Sequence, residues 1–353
     1  MKTFLIAFLC VIVSFPVYNN NQDLNFTARE IIEIPVDIGS QSVGYGGALI
    51  YVTNPYTQQI TVYDKQGEIV NQFGREGRGP GEFGKQSPGA ILVLDEGILA
   101  NDLTNFRVEL LNHNGNHIRS FTLMRDIPVT AVIKMFEGED DGILMYGTGV
   151  DVNMETGVMS MSYSVMDFNL ATGEYLFLYE KFTEPAKLME INPISGYPLP
   201  VIQNDIIYQP ANDHYRIDMY SYQGASKGAI ELDRRAQRVT GEIKDHLLQS
   251  DELQQALEMS MGLVNFTFPS HLPCIRSIMF LNEYLLVWSW EDWYEKTFRD
   301  GEFRMDFFDK AGNYLGKGKV DFDPDNVVFV NGDLLITLVN VGDEGLIQLR
   351  RYR

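Results

Sequence analysis

The sequence predicts an all-β fold, a six-bladed β-propeller with four-stranded blades. Short segments of alternating apolar and polar residues follow one another along most of the chain, which is typical of strands joined by hairpins. A glycine-containing turn recurs at intervals of roughly 50 residues, the length of a four-stranded blade. The last segments are one strand short of a blade, and a strand near the beginning is left over to supply it.

The recurring turn marks the outer hairpin of successive blades. In its first occurrence, the strand at 59–63 passes through a turn at 64–67 into the strand at 68–73. The turn glycines are Gly67, Gly115, Gly173, Gly224 and Gly312. Glycine suits such turns because it adopts left-handed backbone conformations without steric cost. Five turns of this kind predict five outer hairpins.

The strands at the C-terminal end of the chain and one strand near its beginning are predicted to form a sixth blade. Strands are predicted at 327–330, 334–339 and 346–350, and the strand at 29–36 fits as their missing outer partner. This pairing closes the ring and removes the exposed edges that an open array of blades would carry. We therefore expect one propeller domain over residues 28–353.

A helical insertion explains the longest interval between turns, which lies between blades four and five. Residues 234–264 change from strand periodicity to apolar residues at three- and four-residue spacing, and Thr240 or Ser250 is a candidate cap. The insertion either covers the channel, binds a partner helix, or packs its apolar face on the blade it leaves.

Composition limits the classes of partner. The 353 residues are 45% hydrophobic and carry a formal charge of −20. The apolar content is sufficient for a large core, and the negative charge disfavours nucleic acid and anionic membranes as partners. We expect a monomer with no integral membrane segment once the signal is removed.

The N-terminus has the pattern of a secretory signal peptide, assigned to residues 1–21. Lys2 precedes an apolar run at 4–15 that is too short to span a bilayer, and Pro16 and a polar segment follow. Export to the periplasm or the extracellular space is expected. Cys10 follows Leu9, where lipid-attachment signals have a small residue, so we do not predict a lipid anchor. Without Cys10, Cys274 has no partner for an intrachain disulfide.

The stretch at 71–83 contains four glycines and a proline within ten residues, Gly74 to Phe83. Such density excludes a helix or strand interior and predicts a tightly turned loop between blades one and two. The sequence Phe73-Gly-Arg-Glu-Gly-Arg-Gly-Pro-Gly-Glu-Phe83, with Asn105-Phe-Arg107 further on, resembles the NHL-like and TolB-like six-bladed propellers, especially secreted proteins of Bacteroidetes-type bacteria. The resemblance implies the fold and export, and carries no catalytic assignment.

Three arginines are candidate ligand-binding residues. Arg75 and Arg78 lie beside backbone amides of the glycine-rich loop, which can cradle an anionic group, and Arg107 lies in the second matching motif. The alternative is structural: the loop arginines pair with acids such as Glu76 or Glu82, or brace neighbouring blades.

The most aromatic stretch, 285–294, supplies two further candidates. Trp288 and Trp290 alternate, so they share one face of a predicted strand and are expected to pack between blades. Trp293 and Tyr294 are expected on the loop that follows, where exposed rings can stack on a sugar or an apolar peptide side chain.

A calcium-dependent hydrolase or lactonase is the alternative function, with the metal in the central channel. Such a site needs oxygen ligands from several blades. The candidates in connecting regions are Asp102, Asn105, Asp151, Asn153, Asp213 and Asp292. No spacing selects among them, so the metal ligands stay unassigned, and no cofactor is predicted. No Walker or Gly-x-Ser-x-Gly motif is present.

The first prediction for function is therefore an exported, non-catalytic propeller that binds a peptide, protein or glycan. Propellers group their variable loops around the mouth of the channel, which favours this use. The predicted contacts are Arg75, Arg78, Arg107, Trp293 and Tyr294. A third alternative is a structural component of a surface or periplasmic complex, docked through the insertion.

Overall fold

The computed structural model describes residues 24–352 except 38, 139–141, 184–185, 188–189, 195–197, 212–213, 251–252, 255–256, 259–263, 300 and 342–343. The predicted signal peptide and Cys10 lie outside the described residues. Among the residues described, no helix is long and apolar enough to span a membrane.

Six four-stranded antiparallel blades form the ring that the sequence predicts. Two strands precede the first complete blade: β1 (Asn25–Phe26) and β2 (Glu30–Val36). Blade one contains β3 (Ser42–Gly46), β4 (Leu49–Asn54), β5 (Gln59–Tyr63) and β6 (Ile69–Phe73). Blade two contains β7 (Ile91–Val93), β8 (Ile98–Asp102), β9 (Arg107–Leu111) and β10 (His117–Thr122). Blade three contains β11 (Ala131–Glu137), β12 (Gly142–Asn153), β13 (Val158–Asn169) and β14 (Tyr175–Phe182).

Short additional strands lie between blades in the second half of the ring. Between blades three and four lie β15 (Ala186–Lys187), which pairs with β13, and β16 (Glu190–Ile191). Blade four contains β17 (Val201–Gln203), β18 (Ile206–Pro210), β19 (Arg216–Ser221) and β20 (Ser226–Glu231). Strand β21 (Asn265–Phe266) then pairs in parallel with β16. Blade five contains β22 (Ile275–Leu281), β23 (Tyr284–Ser289), β24 (Arg304–Phe308) and β25 (Tyr314–Val320). Blade six contains β26 (Val327–Asn331), β27 (Leu334–Val341) and β28 (Glu344–Arg351), with β2 as its outer strand.

The closure of the ring confirms the prediction from the chain ends. Strand β2 pairs antiparallel with β28, from Glu30 opposite Arg351 to Val36 opposite Gly345. Strand β1 adds a second connection, because it pairs in parallel with β25 and becomes a fifth strand of blade five. The N-terminal segment therefore ties blades five and six together.

The turn glycines occupy the positions expected of them, and they also contact the preceding blade. All five have positive φ, between 74° and 85°. A Cβ atom on Gly115 would lie 2.3 Å from Cγ of Phe73, and one on Gly312 would lie 2.8 Å from Cγ1 of Ile230. Phe73 and Ile230 belong to the outer strands of the preceding blades. A side chain would thus strain the turn and push the blades apart.

The apolar core is divided among the junctions between blades. Each cluster of buried residues draws on two neighbouring blades; for example, Val43 of blade one packs with Ile336 of blade six. Val108 and Met145 similarly share the cluster between blades two and three. Apolar area is buried between blades at every junction, so the ring is held together all the way round.

Within the described part of the chain, helices and one 3-10 turn (Pro324–Asn326) interrupt the strands. Helix α1 (Gly241–Leu248) lies in the predicted insertion between blades four and five, and Thr240 caps it as expected. Its residue Ile243 is fully buried in a cluster built mainly from blade five. The insertion therefore packs on the blade it enters, not on the one it leaves. Helix α2 (Trp290–Arg299) was not predicted.

Candidate functional site

The connections between strands differ in length at the two ends of the blades. Because neighbouring strands are antiparallel, connections after the first and third strands of a blade lie at one end, and those after the second and fourth lie at the other. At the first end no connection is longer than the turn at 64–68. All longer connections lie at the second end, here called the long-connection side: 74–90, 123–130, 183–200, 232–274, 290–303 and 321–326.

Arg107 fixes the glycine-rich loop of the long-connection side to blade two. Its guanidinium donates to the carbonyl oxygens of Arg78 at 3.2 Å, Gly79 at 3.0 Å and Glu82 at 2.8 Å. Its Nε also pairs with the fully buried carboxylates of Asp102 at 3.2 Å and Glu109 at 2.9 Å. The side chain is only 14% exposed. The structure therefore gives Arg107 a bracing role.

The anion cradle predicted in this loop is filled by the loop's own carboxylate. Glu82 accepts a hydrogen bond from the backbone N–H of Gly79 at 2.8 Å and pairs with the Arg75 guanidinium at 2.8 Å. The Gly79 amide, followed by Arg75, lowers the pKa of Glu82. A Cβ on Gly77 would lie 2.0 Å from Glu82 Oε2, so glycine makes room for this carboxylate. The loop amide needs no external anion.

Of the three predicted arginines, Arg78 alone keeps a free cationic head group. Arg75 is 78% exposed but paired with Glu82, and Arg107 is engaged as described. Arg78 is exposed, and its side chain has no hydrogen bond or ion pair with the described residues. The three arginines do lie together, because Arg107 binds the carbonyls of Arg78 and Glu82, and Arg75 pairs with Glu82. Their role in ligand binding stays a prediction.

The connections of the same side carry several exposed apolar side chains. Among described residues, the large exposed apolar side chains that lie in connections between strands all belong to the long-connection side: Tyr56, Leu103, Phe106, Met124, Met154 and Leu199. Three of these belong to blade two and the segment after it: Leu103 is 46%, Phe106 57% and Met124 65% exposed. We call these three residues the blade-two patch.

The backbone presents the blade-two patch in an unusual conformation. Phe106 has φ of 52° and Met124 has φ of 66°, values that bulky residues rarely adopt. Two backbone hydrogen bonds hold the patch together, from Phe106 N–H to the Leu103 carbonyl at 3.1 Å and from Leu123 N–H to the Phe106 carbonyl at 2.8 Å. Left-handed residues of this kind cost free energy and are enriched at functional sites.

The predicted aromatic platform is buried, so the expectation that Trp293 and Tyr294 lie on an exposed loop is wrong. Both lie in α2 and are 8% exposed. Trp293 packs edge-on against Trp290 at 5.1 Å and against His246 of α1 at 5.8 Å. Trp290 begins α2 and does not continue the strand of Trp288, although both join one buried cluster. These rings hold the insertion on blade five, away from the arginines.

One buried polar centre was missed by sequence reasoning. Asp306 of β24 is fully buried and accepts hydrogen bonds from Tyr215 at 2.8 Å and Tyr314 at 3.1 Å. Arg234, from the segment after blade four, pairs with the same carboxylate at 2.5 Å. Burial raises the pKa of Asp306 and, with the carboxylate beside it, raises the pKa of Tyr314 to about 12. The centre joins blades four and five.

A repeated pattern in the third strands is the signal that identifies this centre. An arginine followed two residues later by an acid begins β9, β19 and β24. In the first two strands the pair is internal, as in Arg216 and Asp218 at 2.7 Å. In β24 the acid instead faces the preceding blade. The adjoining cavity has a volume of about 10 Å³, enough for about one water molecule, so the centre is structural.

The described candidates for calcium ligands take part in contacts within the protein. Asp102 accepts from the Gly84 amide and from Asn105, and Asp292 pairs with Lys317 at 2.6 Å. Asp213 lies outside the described residues, and Asn153 caps the turn of the long hairpin between β12 and β13. Within the described part of the chain, no three His, Cys, Asp or Glu side chains are grouped to hold a metal. The calcium-dependent alternative stays untested.

Comparisons with known proteins agree with this architecture. Residues 37–107 match the sequence model of a family described as "6-bladed beta-propeller". A member of the duf4221 family from Bacteroides vulgatus superposes with a TM-score of 0.55 at 12% identity, covering 94% of this chain and 98% of that one. A putative exported protein from Bacteroides fragilis superposes with a TM-score of 0.53 at 10% identity, covering 94% and 99%.

One further superposition is weaker. A gluconolactonase from Xanthomonas campestris covers 94% of this chain with a TM-score of 0.47 at 9% identity, which is too low to transfer its activity. No curated protein is significantly similar in sequence. At these identities the likeness shows the fold alone. The fold implied by the glycine-rich motif is confirmed: the chain is a six-bladed β-propeller.

Proposed function

We propose that this chain is an exported, non-catalytic propeller that binds a polypeptide on its long-connection side. The observation that carries the proposal is the distribution of exposed apolar side chains in connections, all of which belong, among described residues, to that side. Apolar side chains in water gain free energy when a partner covers them, and groups of them mark interaction surfaces. Export rests on the signal-like residues 1–21.

The blade-two patch is the proposed centre of this surface. Its two residues with left-handed φ hold their side chains toward solvent at a cost in free energy, and ligand contacts offset such a cost. Beside the patch, Arg78 offers an unpaired cation on a chain of net charge −20. A ligand segment with an apolar side chain followed by an acidic one matches this arrangement.

The burial of the predicted aromatic contacts favours a polypeptide ligand over a glycan. Sugar rings are bound by stacking on exposed aromatic faces. Trp293 and Tyr294, predicted to stack on a sugar or on an apolar peptide side chain, are each only 8% exposed and lie inside a cluster with α1. The exposed apolar groups at the long-connection side are mostly aliphatic or sulfur-containing, which suits peptide side chains.

Panning of a random peptide library on immobilised protein tests the proposal. The face variant carries Leu103→Ser, Phe106→Ser and Met124→Ser. The matched control carries Ile69→Ser and Val70→Ser, which remove side chains 62% and 51% exposed on the outer strand of blade one. We expect wild type and control to enrich the same acidic, apolar peptides and the face variant to enrich none. Equal enrichment by all three proteins would remove the patch from the proposal.

A further inference from the structure

A lysine of the innermost strand of blade three reaches the opposite blade across the central channel. The first strand of each blade lies innermost, and these strands contact one another around the ring, for example β3 with β7 and β26. Lys134 lies on β11 of blade three, and its Nζ donates to the carbonyl oxygen of Val328 on β26 of blade six at 3.3 Å. Blades three and six are opposite in a six-membered ring. The side chain therefore spans the channel at this level.

Both ends of this bridge lie at irregularities of the inner strands. The register of β11 shifts between Val132 and Lys134, and that of β26 shifts between Val327 and Phe329. A bulge leaves one residue out of the ladder, redirects nearby side chains and frees backbone groups. Val328 is the residue left out of β26, so its carbonyl is available to Lys134. The hydrogen bond from Lys134 to Val328 therefore joins two strands at the positions where the regular pairing of each is interrupted.

Lys134 lacks the counter-ion that several exposed lysines have. Lys310, Lys317 and Lys319 each pair with a carboxylate at 2.7 Å or less. For Lys134 no acidic partner is present among the described residues, and burial alone lowers the pKa of its ammonium group. Lys134 is half-buried, and a cation partly removed from water without an opposite charge nearby is destabilising. Its neighbour Ile133 is 40% exposed, so solvent reaches the space beside it.

We propose that Lys134 is the anchoring cation of a carboxylate site in the channel, reached from the long-connection side. That direction follows from Val328, which is the second residue of β26 and lies near the connection at 321–326. A carboxylate replaces the neutral Val328 carbonyl as acceptor and supplies the missing opposite charge. Charge-assisted hydrogen bonds of this kind are about twice as strong as neutral ones.

An NMR titration with propionate tests the site at constant ionic strength. Saturable shifts are expected for the backbone amides of residues 133–135 and 328–329, and propionamide, which has the same shape without the charge, should produce none. Lys134→Met should weaken propionate binding by about tenfold or more, as expected for loss of a charged hydrogen bond. Lys319→Met, at a rim lysine 47% exposed, serves as the control and should bind like wild type.

Three results would overturn the site: shifts that propionamide reproduces, shifts that never saturate, or equal binding by the Lys134→Met variant. The comparison of propionate with propionamide uses wild-type protein only, so it decides the matter even if the variant fails to fold. The channel site and the peptide surface are tested separately, since propionate shifts report on the inner strands and peptide enrichment reports on the blade-two patch.

Discussion

Replacing Arg107 with methionine tests whether this arginine braces the loop or binds a ligand. Methionine keeps most of the apolar stem but removes the guanidinium, which serves two fully buried carboxylates and three loop carbonyls. Breaking a buried ion pair by removing one partner costs about 3–5 kcal/mol. Glu109 still has His117 at 2.8 Å and Ser120 at 2.9 Å, so we expect the lower end of this range.

The expected effect is a fall in Tm of roughly 6–12 °C, because about 3 kcal/mol is lost and each kcal/mol lowers Tm by about 2–4 °C in larger domains. Scanning calorimetry measures it. Hydrogen exchange should also accelerate at the amides of Gly77 and Phe83, which bond within the loop. Arg75→Met is the matched control, since Arg75 is 78% exposed and its loss should leave Tm unchanged. Equal Tm values for the two variants would refute the bracing role of Arg107.

Three further predictions concern stability and titration. In denaturant unfolding, Gly115→Ala should lower the free energy of unfolding by about 1–3 kcal/mol more than Gly157→Ala does. Both glycines have positive φ, but only Gly115 has a neighbour, Phe73, within contact of an added Cβ. Equal losses would contradict the contact between blades. Burial raises the pKa of Asp306, so wild-type stability falls as pH rises above 3.8 through the folded pKa; the stability of Asp306→Asn relative to wild type should therefore increase with pH, and a constant difference would argue against it. Hydrogen bonding by Arg125 holds the pKa of Asp126 at about 2; in Arg125→Met, carboxyl NMR should find it nearer 3.8, and a value that stays near 2 would assign the shift to the Thr122 amide.

The blade count and ring closure were predictable because their signals are local. Alternating residues mark strands, and the turn glycines mark outer hairpins whose positive φ needs no side chain. The strand at 29–36 was assigned to blade six simply because that blade lacked a strand, and β2 pairs there. The contacts of Gly115 and Gly312 with preceding blades were not predictable, since they depend on how blades stack.

Helix α2 shows how a local pattern was misread. Alternation of Trp288 and Trp290 predicts a continued strand, but Ser289 begins a competing signal. Its hydroxyl accepts from the Asp292 backbone N–H at 3.0 Å, which is the arrangement of a helix N-cap with an acid three residues later. The spacing of serine and aspartate was present in the sequence. Tertiary packing of Trp293 on His246 then decides in favour of the helix.

The features that bear on function depend on contacts across the ring or between loops. Nothing in the strand around Lys134 distinguishes it from a surface lysine until blade six is placed opposite. Glu82 similarly becomes the occupant of the loop cradle only when Gly77 and Gly79 fold around it. The arginine motif could be located from sequence, but its division into one bracing, one paired and one free side chain could not.

Hydrogen-exchange footprinting of the protein with its most enriched library peptide tests the central claim, that the long-connection side binds ligand. Protection is expected in the segments at 74–90, 103–106 and 123–130, with the turns at the opposite ends of the blades unchanged. Protection of the turns at 64–68, 112–116 and 170–174, with the long connections unaffected, would contradict it.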